Sequence, residues 1–441
     1  MAEACRRSAL TFERSFTVKN DKIRELLDDV QLPDIVKVHQ HFSAEHLDDP
    51  EAELFRQLSA KELDIRPGMR IAITAGSRGL VHYVELLRTI IRFVREKGGE
   101  PFLVPSMGSH GGGTAEGQLH ILENLGVTED SVGAPIRSSM EVVQIGTTSR
   151  GLPAYIDKIA YESDGIIVFN KVKPHPGFRG PYESGLVKMM AIGLAKHKGA
   201  SMTHCLRVEN MAENIAEVAA ITLKNASILC GVATVENAYG GIARIHVLRN
   251  DEILEKEPDI LKEAWAFMPR IYLDRIDSLI VSQIGKDISG AGSDPNVTGK
   301  HLTSINHAGP QTTVMGILDL SPKTGSNPHG MGLAEFMSKR IYDKMDVTPS
   351  YINSLTSLVF TGARMPVVLE DDLLVFKACV KASGVLDLSK LALVVIQDTK
   401  HLDTIYLSRG ALETVVDPSA VSQDGDFFPI PFDADGACHL F

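Results

Sequence analysis

The residues best placed to do chemistry lie in one short stretch. Asn170, Lys171, Lys173, His175 and Arg179 fall within eleven positions, and Lys188 and His204 follow. Pro174 and Pro176 restrict the backbone on both sides of His175, and glycines follow at 177, 180 and 185, so the imidazole is presented on a stiff loop. Imidazole is the side chain whose ordinary range best suits taking and returning protons near neutral pH. One such loop on its own is more often a solvated surface loop than a site. Three further polar clusters make the argument. Ser77 and Arg78 sit between Gly76 and Gly79, where a strand-to-helix turn would offer free N–H groups and a guanidinium to a phosphate or carboxylate. His110 precedes Gly111, Gly112 and Gly113, which leave the backbone open to a flat ligand. Gln283 and Lys286 form the third pair, suited to substrate oxygens if they face a cleft. None of these is a GxGxxG or Walker pattern, so no nucleotide follows from spacing alone.

These clusters need elements to position them, and the pattern supplies them. Strands are expected at 34–42, 70–75, 101–105 and 165–170, with amphipathic helices at 81–96, 117–125 and 207–223. The alternation predicts an α/β fold with parallel strands and helical crossovers, and each polar cluster follows a strand, at the sheet edge where such folds bind ligands. After a break near 258–269 a second alternation begins, through 276–281, 312–318, 332–344, 373–382 and 391–396. We therefore expect two α/β domains, 1–270 and 271–441, with the active site at the cleft between them. The tail from Asp417, rich in Asp and Pro, reads as extended chain.

Composition narrows the class of partner. With 45 basic against 56 acidic residues the chain has no global electrostatic reason to bind nucleic acid or an anionic membrane, which leaves a small-molecule substrate as the expected partner. The start, Met1 to Ser8, lacks the apolar core of a signal peptide, and no apolar run is long enough for a span, so a cytoplasmic protein is expected. Cys5, Cys205, Cys230, Cys379 and Cys438 are odd in number and far apart, so neither a disulfide framework nor a zinc ribbon is indicated.

Taken in order and spacing, Arg78, His110 after Gly108, His175 in its proline loop, Lys188, His204 after Met202, and Gln283 with Lys286 resemble the nickel-dependent lactate racemase family. The resemblance implies a cofactor-binding catalytic N-terminal domain. It implies His110 and His175 as catalytic acid/bases and Lys188 as the tether of a nickel-pincer nucleotide, a pyridinium dithio-acid mononucleotide carrying nickel. It further implies His204 as the nickel ligand, with Ser77 and Arg78 toward the cofactor and Arg78, Gln283 and Lys286 toward the substrate. The implied reaction is racemisation or epimerisation of a 2-hydroxy acid by reversible hydride transfer to the pyridinium, and cofactor biosynthesis proteins are implied partners. Ala75 stands where the family places an acidic residue, the His175 to Lys188 interval is longer, and the single tryptophan, Trp265, matches no aromatic wall. These departures point to a substrate larger than lactate, such as a sugar acid. Lys196 and Lys198 remain alternatives for the tether, and His197 for the metal ligand. Two other classes stay open: a non-catalytic ligand-binding homologue, and a conventional histidine-metal hydrolase or lyase built on His110, His175 and His204.

Overall fold

The computed structural model describes residues 20–205 and 208–441; Met1 to Ser8, Cys5 and the start of the expected 207–223 helix at Arg207 lie outside them. In chain order the strands of the first half are β1 (Ile35–Gln40), β2 (Arg70–Ala75), β3 (Glu100–Pro105), β4 (Val142–Thr147), β5 (Pro153–Asp157), β6 (Gly165–Lys171), β7 (Ile228–Glu236) and β8 (Ile242–Arg249). Those of the second half are β9 (Arg275–Ile284), β10 (Gln311–Leu320), β11 (Phe336–Ser338), β12 (Val367–Leu369), β13 (Leu393–Ile396), β14 (Thr404–Ser408) and β15 (Val421–Phe428).

A five-stranded sheet of order β3-β2-β6-β7-β8 forms the first half, parallel except for β8. Its central strands are apolar on both faces because both are covered, as parallel sheets require. Period-two alternation sends Ile71, Ile73, Ile167 and Phe169 to one core, with the helix Tyr83–Glu96, and Ala72, Ile166 and Val168 to the other, with the helix Met211–Asn225. That three-layer packing holds the β2, β3 and β6 ends in a row, and the polar loops leave from there.

The second sheet has eight strands, β12-β11-β10-β9-β13-β14-β1-β15. Two expectations are corrected here. The strand at 34–42 forms, but it joins this sheet, antiparallel between β14 and β15, rather than the sheet of the first half. Its pairing partners lie far along the chain, and hydrophobic periodicity identifies a strand without naming its neighbour. The tail does run extended over β15, and it adds to the sheet edge there, where Asp424 pairs with Lys37 at 3.0 Å. The single segment expected at 332–344 divides into β11 and a short helix, Lys339–Lys344. No helix among the described residues is long and apolar enough to cross a membrane.

Candidate active site

Three strand ends of the first sheet feed one cavity. The turn after β2 carries Ser77 and Arg78, the loop after β3 carries His110, and the segment after β6 carries Lys173 and His175; all of these line a cavity of about 340 Å³. Lys188 and His204 line it as well, and Lys286, Leu302, Thr303, His329 and Asn353 close it from the second half. The volume is that of a small-molecule site, of order 300–1,000 Å³. A more open groove of about 530 Å³ lies along the helix Tyr83–Glu96, apart from these residues.

Each side chain is placed by identifiable local structure. At Gly111 the backbone has φ of 66°, and a Cβ there would come within 2.4 Å of the Gly117 backbone, so glycine is required for the loop to fold back on the following helix. Gln118, fully buried, donates to the carbonyls of Gly108 at 2.9 Å and His110 at 3.4 Å. Its own oxygen accepts from Lys196 at 3.2 Å, and Lys196 pairs with Asp157 at 3.1 Å. Lys188 ends a short helix, Leu186–Lys188, whose first amides are capped by the buried Glu257: Val187 N–H donates to its carboxylate at 2.9 Å. One turn of π-helix, Met189–Gly193, follows directly, a distortion that recurs at functional sites. His204 is the last residue of the helix Lys196–His204.

The two central imidazoles are held differently. His110 Nδ1 lies 2.5 Å from Ser77 Oγ, and because a hydroxyl accepts as readily as it donates, Nε2 can keep its lone pair. His175 Nδ1 accepts from the Gly177 amide at 3.0 Å. An amide N–H only donates, so the neutral His175 ring carries its proton on Nε2. The ring packs on Phe178, with centroids 4.3 Å apart.

The electrostatics are one-sided. Arg78, Lys171, Lys173, Lys188 and Lys286 line the cavity, and among the described residues no Asp or Glu does, although Asp294 acts on Lys173 and Glu183 on Lys188 from outside the lining. Lys171 is neutralised by Glu236 at 2.7 Å. The amines of Lys173 and Lys188 have no hydrogen bond or ion pair among the described residues; Lys188 Nζ only overlies the Phe178 ring, at 5.4 Å. Burial, reinforced by Lys173 and Arg78, depresses Lys188 to about 7, and burial with Arg78 brings Lys286 to about 7. Burial and the Arg78, Lys286 and Lys188 charges push His110 down to about 3, although the cavity keeps its ring accessible. His175 is driven well below its ordinary value by burial and then Lys188, and burial brings His204 to about 4. The site is thus a cage of cations around neutral imidazoles, suited to an anion.

The structure therefore brings together Ser77, Arg78, His110, His175, Lys188, His204 and Lys286. It does not bring Gln283, which lies within β9, opposite Asp319 of β10, and is not among the lining residues. Lys286 reaches the cavity because it lies beyond the strand's end, whereas Gln283 is still held by the ladder. Lys196 is engaged with Asp157, Lys198 overlies Tyr155 at 4.5 Å, and neither they nor His197 line the cavity. Trp265 does approach the site indirectly, with the Arg179 guanidinium 4.9 Å over its ring. Sequence reasoning missed His329 and Asn353. Asn353 Oδ1 accepts from Lys286 at 3.4 Å, its amide donates to His329 Nε2 at 3.0 Å, and His329 Nδ1 lies 3.0 Å from Ser350 Oγ. No motif marks these two residues; the second fold alone delivers them.

Residues 32–216 match the family model described as the lactate racemase N-terminal domain. Comparison with curated proteins gives no match. Among solved structures, the lactate racemase apoprotein from Thermoanaerobacterium thermosaccharolyticum aligns with a TM-score of 0.46 at 14% identity, over 83% of this chain and 89% of that one. Residues 32–216, which hold Arg78, His110, His175, Lys188 and His204, are thus similar to the N-terminal domain of lactate racemase.

Proposed function

We propose that the chain is a racemase or epimerase acting at C2 of a 2-hydroxy acid larger than lactate, with a nickel-pincer nucleotide as its resident group. The observation that carries the reading is the meeting of two neutral imidazoles, His110 and His175, in one cavity lined by cations and, among the described residues, by no carboxylate. A hydroxy acid brings a carboxylate for the cations and a hydroxyl proton for an imidazole. Its two configurations point that hydroxyl to opposite sides, so two bases are needed. An imidazole acting alone would have to form an unstabilised carbanion at C2, and transfer of that hydrogen as hydride avoids it, so the proposed reaction uses a hydride acceptor.

The residues fit the implied group. Among the described residues no set of three or more His, Cys, Asp or Glu could hold a metal, so any metal here must bring most of its own ligands. His204, kept neutral by burial, would offer the group's metal one imidazole nitrogen, a donor type that suits Ni(II). Lys188, at about 7, is partly neutral at physiological pH and therefore nucleophilic enough to form an acyl linkage. Ser77 and Arg78 stand ready for the group's anionic part. When bound, the group would supply an electron-poor pyridinium that accepts and returns a hydride.

The chain's own residues then do the rest. Arg78 and Lys286 hold the substrate carboxylate, and their charge, once partnered, depresses His110 less, so its basicity recovers on binding. His110 takes the hydroxyl proton of one configuration at Nε2 and passes it back in the reverse direction. His175 serves the other configuration. In the arrangement seen it offers Nε2–H, so it must first move that proton to Nδ1 as the Gly177 amide turns aside. The reading also calls for host proteins that build and load the cofactor.

The test is a panel of C2-deuterated sugar acids and simpler 2-hydroxy acids given to enzyme made with the cofactor biosynthesis system. Inversion at C2 with the deuterium retained is expected. Rapid loss of label to water would mean proton abstraction at carbon and would overturn the reading.

A further inference from the structure

His110 and His175 differ in what holds them. The bonds around His110 come from the first half: Ser77, Gln118 and, through Gln118, Lys196. The His175 loop is gripped across the cleft. Asn306, fully buried, donates from Nδ2 to the Pro176 carbonyl at 2.9 Å. Thr303 Oγ1 donates to the Gly177 carbonyl at 2.5 Å. Arg179 donates to the His175 carbonyl at 2.5 Å and to Glu183 at 3.0 Å, and turns its other Nη to Asn306 Oδ1 at 2.8 Å and to Asn296 Oδ1. Glu183 closes the circle by accepting the His175 backbone N–H at 2.5 Å.

One detail gives this clasp a chemical meaning. The Pro176 carbonyl and the Gly177 N–H belong to the same planar peptide unit. Asn306 holds the carbonyl end of that plane, while the N–H end donates to His175 Nδ1 at 3.0 Å. Turning the plane to release Nδ1 therefore requires breaking the Asn306 bond. We infer that Asn306 is a positioning residue that selects the Nε2–H tautomer of His175 by fixing the orientation of the Pro176–Gly177 peptide. Arg179, shared between Asn306 and the His175 carbonyl, ties that control to the seating of the second half on the first. The inference rests on the reading of His175 as one of two bases, since only then does its tautomer matter to the reaction. His110 carries no equivalent lock.

The test uses the full-length, cofactor-free protein labelled with 15N-histidine, with long-range 1H–15N spectra reporting which ring nitrogen bears the proton. Wild type should show His175 as Nε2–H. Asn306→Asp keeps an oxygen for Arg179 but loses the donor to Pro176. It should shift the His175 tautomer ratio toward Nδ1–H by about fivefold, the ratio one lost neutral hydrogen bond supports. His110 should stay unchanged. Thr303→Val, which frees the neighbouring carbonyl and removes no buried amide, should shift the ratio in the same direction by a smaller factor, and it provides a second route if Asn306→Asp folds poorly. A wild-type His175 ratio in either folded variant, or an equal shift at His110, would overturn the inference. Deuterium wash-out in the labelled-substrate experiment would overturn the proposed reaction and leave the tautomer result standing, so the two failures are distinguishable.

Discussion

Lys188 offers a test that needs no substrate. Its amine is depressed from 10.5 to about 7, by burial first and then by Lys173 and Arg78, and it has no ion-pair partner among the described residues. The folded state therefore carries a cost whenever the amine is charged. Converted at 1.36 kcal/mol per unit, the shift sets a ceiling of roughly 5 kcal/mol below pH 7, where folded and unfolded chains are both protonated. Between pH 7 and 10.5 the unfolded chain binds the proton and the folded chain does not, so this contribution to stability rises with pH across that window. At pH 9 the remaining ceiling is roughly 2 kcal/mol. Lys188→Met keeps length and volume while removing the charge. Allowing for the cost that Lys173 and Arg78 share, the variant should gain about 2 kcal/mol over cofactor-free wild type at pH 6 and much less at pH 9. Urea unfolding, followed by fluorescence of the single tryptophan, Trp265, measures both. A variant no more stable than wild type at pH 6, or a gain that does not shrink with rising pH, would refute the buried, unpaired ammonium.

Two more outcomes follow from the same geometry. Arg78→Ala and Lys286→Ala should each weaken binding of a 2-hydroxy carboxylate or inorganic phosphate to the cofactor-free protein by roughly 1.5–3 kcal/mol, read by calorimetry; unchanged binding in both would put these residues outside the anion site. Glu257, raised to about 7 by burial, holds a proton in the folded state that the unfolded chain releases above 4.5, so its contribution to stability declines as pH rises between those values. Glu257→Gln should remove that slope, and a variant much less stable than wild type at pH 8 would show that the ionised carboxylate is needed to cap the Lys188 segment.

Much of the first half was legible because short-range rules decide it. The strands at 70–75, 101–105 and 165–170 and the 81–96 helix form within a residue or two of expectation, since covered parallel strands and an amphipathic helix announce themselves by period. The polar clusters at their ends met because a parallel sheet sends successive strand ends to one edge. What failed was long-range. The 34–42 strand could not declare its partners at 404–408 and 421–428, and the β7 and β8 pair drew no assignment. His329 and Asn353 reach the cavity only through the packing of the second half, and Gln283 falls short by lying just inside a strand whose end Lys286 passes. The cross-cleft grip of Asn306 on the His175 loop leaves no local signature at all.

The central claim is that Lys188 and His204 hold a covalent nickel-bearing group beside two imidazole bases. The most direct measurement is intact mass together with nickel content for protein made with the cofactor biosynthesis system. Wild type should carry a nucleotide-sized adduct with about one nickel per chain. Lys188→Ala should lose the adduct, and His204→Ala should keep it with less nickel. Wild type without an adduct, or an adduct undiminished in Lys188→Ala, would contradict the account.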